Sequence, residues 1–261
     1  MTIYERRQIL LDLLQKRPGL RVPEIAQVLE VSEGTVRNDL NAMEAEGLLM
    51  RVHGGAVLNE QPKNFNAAFN IRHKEHGVDK VAIAKKAAAL VMDGDSLLLD
   101  SSSTVFYFAM QLAGRQRLRV MTNGIDVARL LAQNLTNTVI LIGGVMNPDG
   151  SSVTGLLSEQ IIADLHIQKA FVSCSGFSVN HGMTEVHFDE AQLKRKALES
   201  ARQVFALVDS SKIGLEDLTS FARPMQISHL FTDTGLSEDW KVRLQSANIS
   251  FTVCEPEVIS A

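Results

Sequence analysis

From residue 77 onward the chain alternates two periods, and that alternation limits its fold more than any other feature. Helical spacing from Val78 to Met92 gives way to a short apolar run from Ser96 to Leu99, then to a helix (Val105 to Leu112), a run (Leu118 to Met121), a helix (Ile125 to Ala132) and a run (Thr138 to Ile142). The pattern resumes with a helix near Ser158 to Asp164, a run at Ala170 to Val172, a helix from Phe188 to Ala201, and runs at Val204 to Val208, Leu230 to Thr232 and Phe251 to Val253. Short unbroken apolar strands separated by helices predict an α/β fold with a largely parallel sheet covered on both faces.

In such sheets ligands bind outside the carboxyl ends of the strands. Those ends are polar here. The first run ends in Asp100, Ser101, Ser102, Ser103 and Thr104, the second in Thr122, Asn123 and Gly124, the third in Gly143 and Gly144, the fourth in Ser173 to Gly176, and the Val208 run in Asp209, Ser210, Ser211 and Lys212. Ser101 to Thr104 fall where a strand becomes a helix, so amide donors, hydroxyls and the positive end of a helix dipole converge, as a phosphate requires. Lys212 supplies a full positive charge, Gly143 and Gly144 leave room for backbone contact, and Asn123 and Asp100 offer directional partners for sugar hydroxyls. A single Ser-rich turn is a common helix cap. Several polar ends on one rim favour a small-molecule site, with a phosphorylated ligand as the expected guest.

The first 58 residues read differently. Ile9, Leu10, Leu13 and Leu14 recur at helical spacing until Pro18-Gly19, a second helix begins near Pro23 with Ile25, Ala26 and Leu29 inward, and Ser32 suits an N-cap for a third helix with Val36, Leu40 and Met43 inward, ending near Gly47. Leu48 to Leu58 forms two strand-like runs around His53-Gly54-Gly55. Three helices and a hairpin predict a winged helix-turn-helix. Its third helix presents Ser32, Glu33, Thr35, Arg37 and Asn38 to a major groove, with Arg51 and His53 near phosphates. Residues 1–58 hold seven Lys or Arg against eight Asp or Glu, a net of −1, which leaves a small assembly module as the competing reading. Gly34 in this turn is open to two readings, close backbone approach to DNA or simple tolerance near a helix start.

Composition narrows the class. At 261 residues, 45% hydrophobic and with a formal charge of −4, the chain supports one large core and a small second domain, and it is no globally basic nucleic-acid coat. Cys174 and Cys254 make neither a disulfide framework nor a metal-ligand spacing, and His181, His187 and Asp189 lack the spacing of a known site, so no metal or cofactor is expected. The longest apolar candidate, Val81 to Met92, is broken by Lys85 and Lys86, so no membrane span is expected and the chain reads as cytoplasmic. The polar residues 59–76 read as a linker between domains at 1–58 and 77–261. Phe106, Tyr107 and Phe108 are expected in the core or an oligomer contact, and Glu190 and Lys194, four apart, are open to a surface ion pair or a pocket role.

The string Val31-Ser32, Thr35, Arg37, Asp39-Leu40, Leu48 to Arg51 and His53-Gly54-Gly55-Ala56 resembles the N-terminal domain of the DeoR family of bacterial transcriptional repressors. The remainder resembles that family's sensor domain at Lys80, Asp100 with Ser103-Thr104, Thr122-Asn123, Gly143-Gly144, Gly155, Glu190-Ala191 with Lys194-Arg195, and Asp209 to Gly214. The resemblance implies a sensor fold similar to ribose-phosphate isomerases, with sugar phosphates or related metabolites as effectors. The sequence departs from the pattern at Asn38, where the family usually has a second arginine, at Ser102, where it usually has glycine, and after the glycine pair, where an arginine is often found. The first departure implies another base preference, since Asn reads adenine where Arg more often reads guanine. The others imply an unusual effector.

The expectation is a repressor that binds operator DNA as a homo-oligomer, dimer or tetramer, with affinity set by a phosphorylated effector. The alternative is a sugar-phosphate isomerase-like enzyme using Asp100, Glu190 or Lys212 as acid–base groups, with the helical module serving assembly.

Overall fold

The computed structural model describes residues 3–17, 19–45, 48–52, 55–58, 75–163 and 165–256. They fall into two compact units, divided between Gly77 and Val78. Pro18, Gly47, His53, Gly54 and the linker residues 59–74 lie outside the described residues, so the turns and linker predicted there are not placed.

The first unit holds α1 (Ile3–Lys16), α2 (Val22–Leu29), α3 (Glu33–Ala45) and an antiparallel hairpin of β1 (Leu49–Val52) and β2 (Gly55–Leu58). Each helix turns its apolar stripe inward: Leu10 and Leu14 from α1, Ile25 and Leu29 from α2, Val36, Leu40 and Met43 from α3. Asp39 faces inward too. It is buried on α3 and accepts from Arg6 Nε at 2.5 Å and Arg7 Nε at 3.2 Å, so a charge-assisted clamp holds α1 on α3. The Gly19 amide donates to the Ala56 carbonyl at 3.1 Å, which seats the wing on the α1–α2 turn. A Cβ at Gly55 would strike the Leu20 carbonyl, so only glycine permits that approach.

The second unit is built on a seven-stranded parallel sheet in the order β14-β13-β11-β8-β3-β4-β5. Its strands are β3 (Ser96–Leu99), β4 (Arg119–Thr122), β5 (Thr138–Leu141), β8 (Ile167–Val172), β11 (Ala201–Leu207), β13 (His229–Asp233) and β14 (Phe251–Cys254). The helices are α4 (Gly77–Ala88), α5 (Ser103–Gln111), α6 (Ile125–Leu131), α7 (Leu156–Ala163), α8 (Phe188–Glu199) and α9 (Glu238–Ser246). Alternate side chains of β3 go to opposite faces. Leu97 and Leu99 pack with Ile83, Phe108 and Leu131, and Leu98 with Ile162, Leu193 and Ala197. Tyr107 and Phe108 are core residues, and Phe106 packs half-buried at its border. Rings of Phe108, Phe171 and Phe205 stack through one layer at centroid separations of 4.2 and 4.9 Å.

One helix and five strands lie outside the sequence-based expectations: α9, the hairpin of β6 (Val145–Met146) and β7 (Val153–Thr154), and the three strands β9 (Gly176–Ser178), β10 (Gly182–Glu185) and β12 (Thr219–Ala222) of a small antiparallel sheet ordered β12-β10-β9. One expectation fails in detail. β5 reads as a strand covered on both faces, yet it lies on the sheet edge with Thr138, Ile140 and Leu141 exposed and only Val139 half-buried.

Strand order reverses between β3 and β8. The chain runs outward from β3 through β4 to β5, then returns to place β8 on the other side of β3. In open parallel sheets, ligands bind outside the carboxyl ends of the strands that flank such a reversal.

Candidate functional site

Asp100 ends β3 and Ser173 ends β8, and the structure ties them together. Asp100 Oδ1 accepts from the Ser102 amide at 3.0 Å, Oδ2 accepts from the Ser173 amide at 2.9 Å, and Lys194 Nζ of α8 lies 3.0 Å from Oδ2. Three of the roughly four acceptor directions of this buried carboxylate are therefore taken by the protein. These contacts make Asp100 fix the turn that carries the serines.

Ser102 caps α5, its hydroxyl accepting from the Val105 amide at 3.3 Å. Where glycine would leave the helix start uncapped, Ser102 spends its side chain on the backbone. Ser101 is half-buried, Ser103 and Thr104 are buried, and the Thr104 hydroxyl has no hydrogen-bond partner. The first-turn amides of Ser103 and Thr104 have no acceptor within the helix, so the turn presents donors at the positive end of the α5 dipole.

The opposite wall centres on α8. Lys194 is fully engaged, donating to Glu185 Oε1 at 2.5 Å and the Ser173 carbonyl at 3.0 Å besides its ion pair with Asp100. Burial pulls its pKa down, but Asp100, Glu185 and Glu190 outweigh burial and hold the ammonium charged. Burial likewise pushes Glu185 up, but the Lys194 charge and hydrogen bond, with the Ser175 hydroxyl, leave it below the ordinary glutamate value. Glu190 turns elsewhere. Its Oε1 accepts from Asn147 Nδ2 and Ser152 Oγ, each at 2.7 Å, and Oε2 from Asn123 Nδ2 at 3.5 Å. There burial wins over the attraction of Lys194 and the Ser152 hydroxyl, and the Glu190 pKa is raised. The Glu190–Lys194 question thus resolves toward the interior: both point into a polar network and neither makes a surface pair.

Asn123 also donates to the Val153 carbonyl at 3.3 Å, and Thr122 Oγ1 accepts from the Gly124 amide at 3.0 Å, so both shape the β4 end from buried positions. Gly144 owes its identity to packing, since a Cβ there would collide with the Thr154 backbone and Ser158 Oγ. Gly143 is exposed and uncrowded, and its carbonyl accepts from Ser158 Oγ at 2.7 Å. Lys212 follows β11 with its Nζ 3.2 Å from Asp209, a buried carboxylate that Lys212, Ser211 and Lys80 hold low against the upward push of burial. Cys174, between these charges, is a neutral thiol pushed up to about 12 by burial.

Asn147, Ser152 and Glu185 belong to this network and carry no sequence signal, whereas Ser175 lies in the polar end of the fourth run. Asn147 and Ser152 stand 43 and 38 residues from Glu190, on a hairpin whose two-residue strands give no periodic signal. His181, His187 and Asp189 are exposed, and no cluster able to hold a metal ion occurs among the described residues. No described helix is long and apolar enough to cross a membrane.

In the first unit, Ser32 Oγ accepts from the Thr35 amide at 3.1 Å and pairs with Thr35 Oγ1 at 2.9 Å, fixing the start of α3. Arg37 and Asn38 are exposed, and the Arg37 guanidinium donates to Glu33 at 2.6 Å. A Cβ at Gly34 would make only ordinary contact with Ser32, so packing does not require glycine there. Arg51 is drawn back onto α3, its guanidinium donating to Asn41 at 2.6 Å and its amide to Glu44 at 2.9 Å. His53 lies outside the described residues.

Comparison with known proteins agrees with both halves. Residues 6–62 match the DeoR-like helix-turn-helix domain and residues 75–234 the DeoR C terminal sensor domain. The chain is 34% identical to the HTH-type transcriptional regulator GolR of Listeria innocua, covering 97% of this chain and 99% of the relative. It is 37% identical to the lactose phosphotransferase system repressor of Streptococcus mutans, covering 88% and 91%. Both are named as regulators rather than enzymes. Among solved structures, ribose 5-phosphate isomerase A of Methanocaldococcus jannaschii aligns over 53% of this chain and 55% of its own at a TM-score of 0.39 and 17% identity, a likeness too slight to carry any argument.

Proposed function

This chain belongs to the DeoR family of transcriptional regulators, and from that premise we propose that it is a repressor of carbohydrate-metabolism genes that binds operator DNA as a symmetric homo-oligomer and loses or gains affinity when a phosphorylated sugar fills the β3–β8 crevice. The observation that carries this reading is the Ser101–Thr104 turn: two first-turn amides and a buried, unpartnered Thr104 hydroxyl at the start of α5, on a rim that also bears Lys212. Those are the donors a phosphate dianion needs in place of water. Glu190, Asn123, Asn147 and Ser152 form the polar wall that meets the remainder of the ligand, and Lys194 with Asp100 keeps both walls in register.

On the DNA side, α3 offers Thr35, Arg37 and Asn38 to base edges, with Ser32 and Glu33 at its start and Arg51 toward the backbone. One short helix reads few base pairs, and two-fold pairing doubles the contact. Effector control requires that the metabolite bind one arrangement of the oligomer better than the other.

The test joins two measurements. Purified protein should retard a duplex from its own genomic neighbourhood, and a screen of phosphosugars should find one that changes that retardation and raises the melting temperature. Turnover of a phosphosugar without duplex binding would overturn the reading.

A further inference from the structure

Resting on the reading that the protein works as a homo-oligomer, we infer that the face formed by β5, β6 and the amino half of α7 is the two-fold interface with a second copy of this chain. β5 pairs only with β4 among the described residues, leaving its other backbone edge open, and its exposed side chains include Ile140 and Leu141. Val145 and Met146 of β6 are exposed at 71% and 59%, and Leu156 and Leu157 of α7 at 70% and 64%. These positions are adjacent. A Cβ at Gly143, two residues past β5, would touch Ile161 of α7 at 4.0 Å, and one at Gly155 would touch Val145 at 3.8 Å.

Charge selects the occupant. From residue 130 to 168 the sequence has no Lys or Arg. Of its three acids, Asp149 accepts from the Ser151 hydroxyl, Glu159 accepts from Gln192 of α8, and Asp164 lies outside the described residues. A face whose own segment supplies no cation is unsuited to DNA or an anionic membrane. In a two-fold interface a patch meets itself, so the apolar side chains of Ile140, Leu141, Val145, Met146, Leu156 and Leu157 are self-complementary where like charges in their place would repel their copy.

Edge strands that must stay alone carry Lys, Pro or a bulge. Thr138–Leu141 has neither Lys nor Pro, and its register with β4 is unbroken. The other sheet edge differs: Phe251, Thr252 and Val253 of β14 are half-buried, and His229 hydrogen-bonds Thr252 at 2.8 Å. The interface would also adjoin the ligand site. The β6–β7 hairpin turns Val145 and Met146 outward while Asn147, next in sequence, donates to Glu190 at 2.7 Å.

The test is sedimentation equilibrium of the full chain over a wide concentration range. Wild type should have at least twice the 28.7 kDa mass of one chain. The double variant Val145→Glu, Leu156→Glu should fall to half the wild-type mass or less with its circular dichroism unchanged, and Leu218→Glu, at a 79% exposed position far along the chain, should keep the wild-type mass. A wild type that is monomeric throughout overturns both the oligomer and this interface. Oligomers that survive the double variant overturn the interface alone and leave DNA and effector binding untouched.

Discussion

Lys194 Nζ lies 3.0 Å from Asp100 Oδ2, an ion pair from the middle of α8 to the end of β3 with both side chains almost wholly buried. Removing one member of such a pair strands the other. Lys194→Met leaves Asp100 and Glu185 without their cation and should cost about 3–5 kcal/mol of stability in the sensor unit. Denaturant unfolding followed by circular dichroism measures it, and a loss under about 1 kcal/mol would mean water already solvates the pair.

Lys212 stands at the rim, with its side chain partly exposed, and its partner Asp209 is buried. Lys212→Met should lower the melting temperature modestly, because Asp209 loses its counter-charge. The decisive readout is the increment a phosphosugar adds to that temperature. It should vanish in Lys212→Met and persist in Lys241→Met, a lysine on α9 paired only with an exposed glutamate.

Stability should depend on pH in two limbs of opposite sign. Glu185 and Asp209 have lowered pKa values in the folded chain, so their contribution is present above the ordinary carboxylate range and is lost as pH falls through their folded values. Glu190 is raised, so the native state holds a proton that the unfolded chain has already released, and stability declines as pH climbs from the ordinary glutamate value through the raised one. Glu190→Gln should flatten that decline and leave the acid limb in place. Urea midpoints between about pH 3 and pH 8 measure both limbs.

Arg37 is held by Glu33 on the exposed side of α3, a pair worth little to folding at that exposure. Arg37→Ala should leave the melting temperature nearly unchanged and weaken operator binding by about 1–3 kcal/mol, with relaxed specificity at one position. Glu33→Ala frees the guanidinium and should strengthen binding to unrelated duplexes, seen as a steeper dependence of affinity on salt.

Much of this architecture was legible in the residues. Leu97–Leu99 and Ala170–Val172 announce strands covered on both faces because both are, and Ser32, Ser102 and Asp209 mark the turns that end or begin elements. β5 misled because Thr138–Leu141 looks the same whether an apolar strand is covered by its own helices or left open. The pocket was half legible. Residues at strand ends follow from local pattern, whereas Asn147 and Ser152 reach Glu190 across 43 and 38 residues, separations that no local spacing encodes. For Asp100 the sequence does not reveal that the Ser173 amide and Lys194 arrive as partners, because both come from distant stretches of chain.

The reversal of strand order between β3 and β8 means that the crevice is walled by two separate stretches of chain, β3 to β5 on one side and β8 to β14 on the other. A guest lodged there acts as a clasp across a seam. Occupancy should slow amide exchange on both flanks at once, including in strands that never touch it.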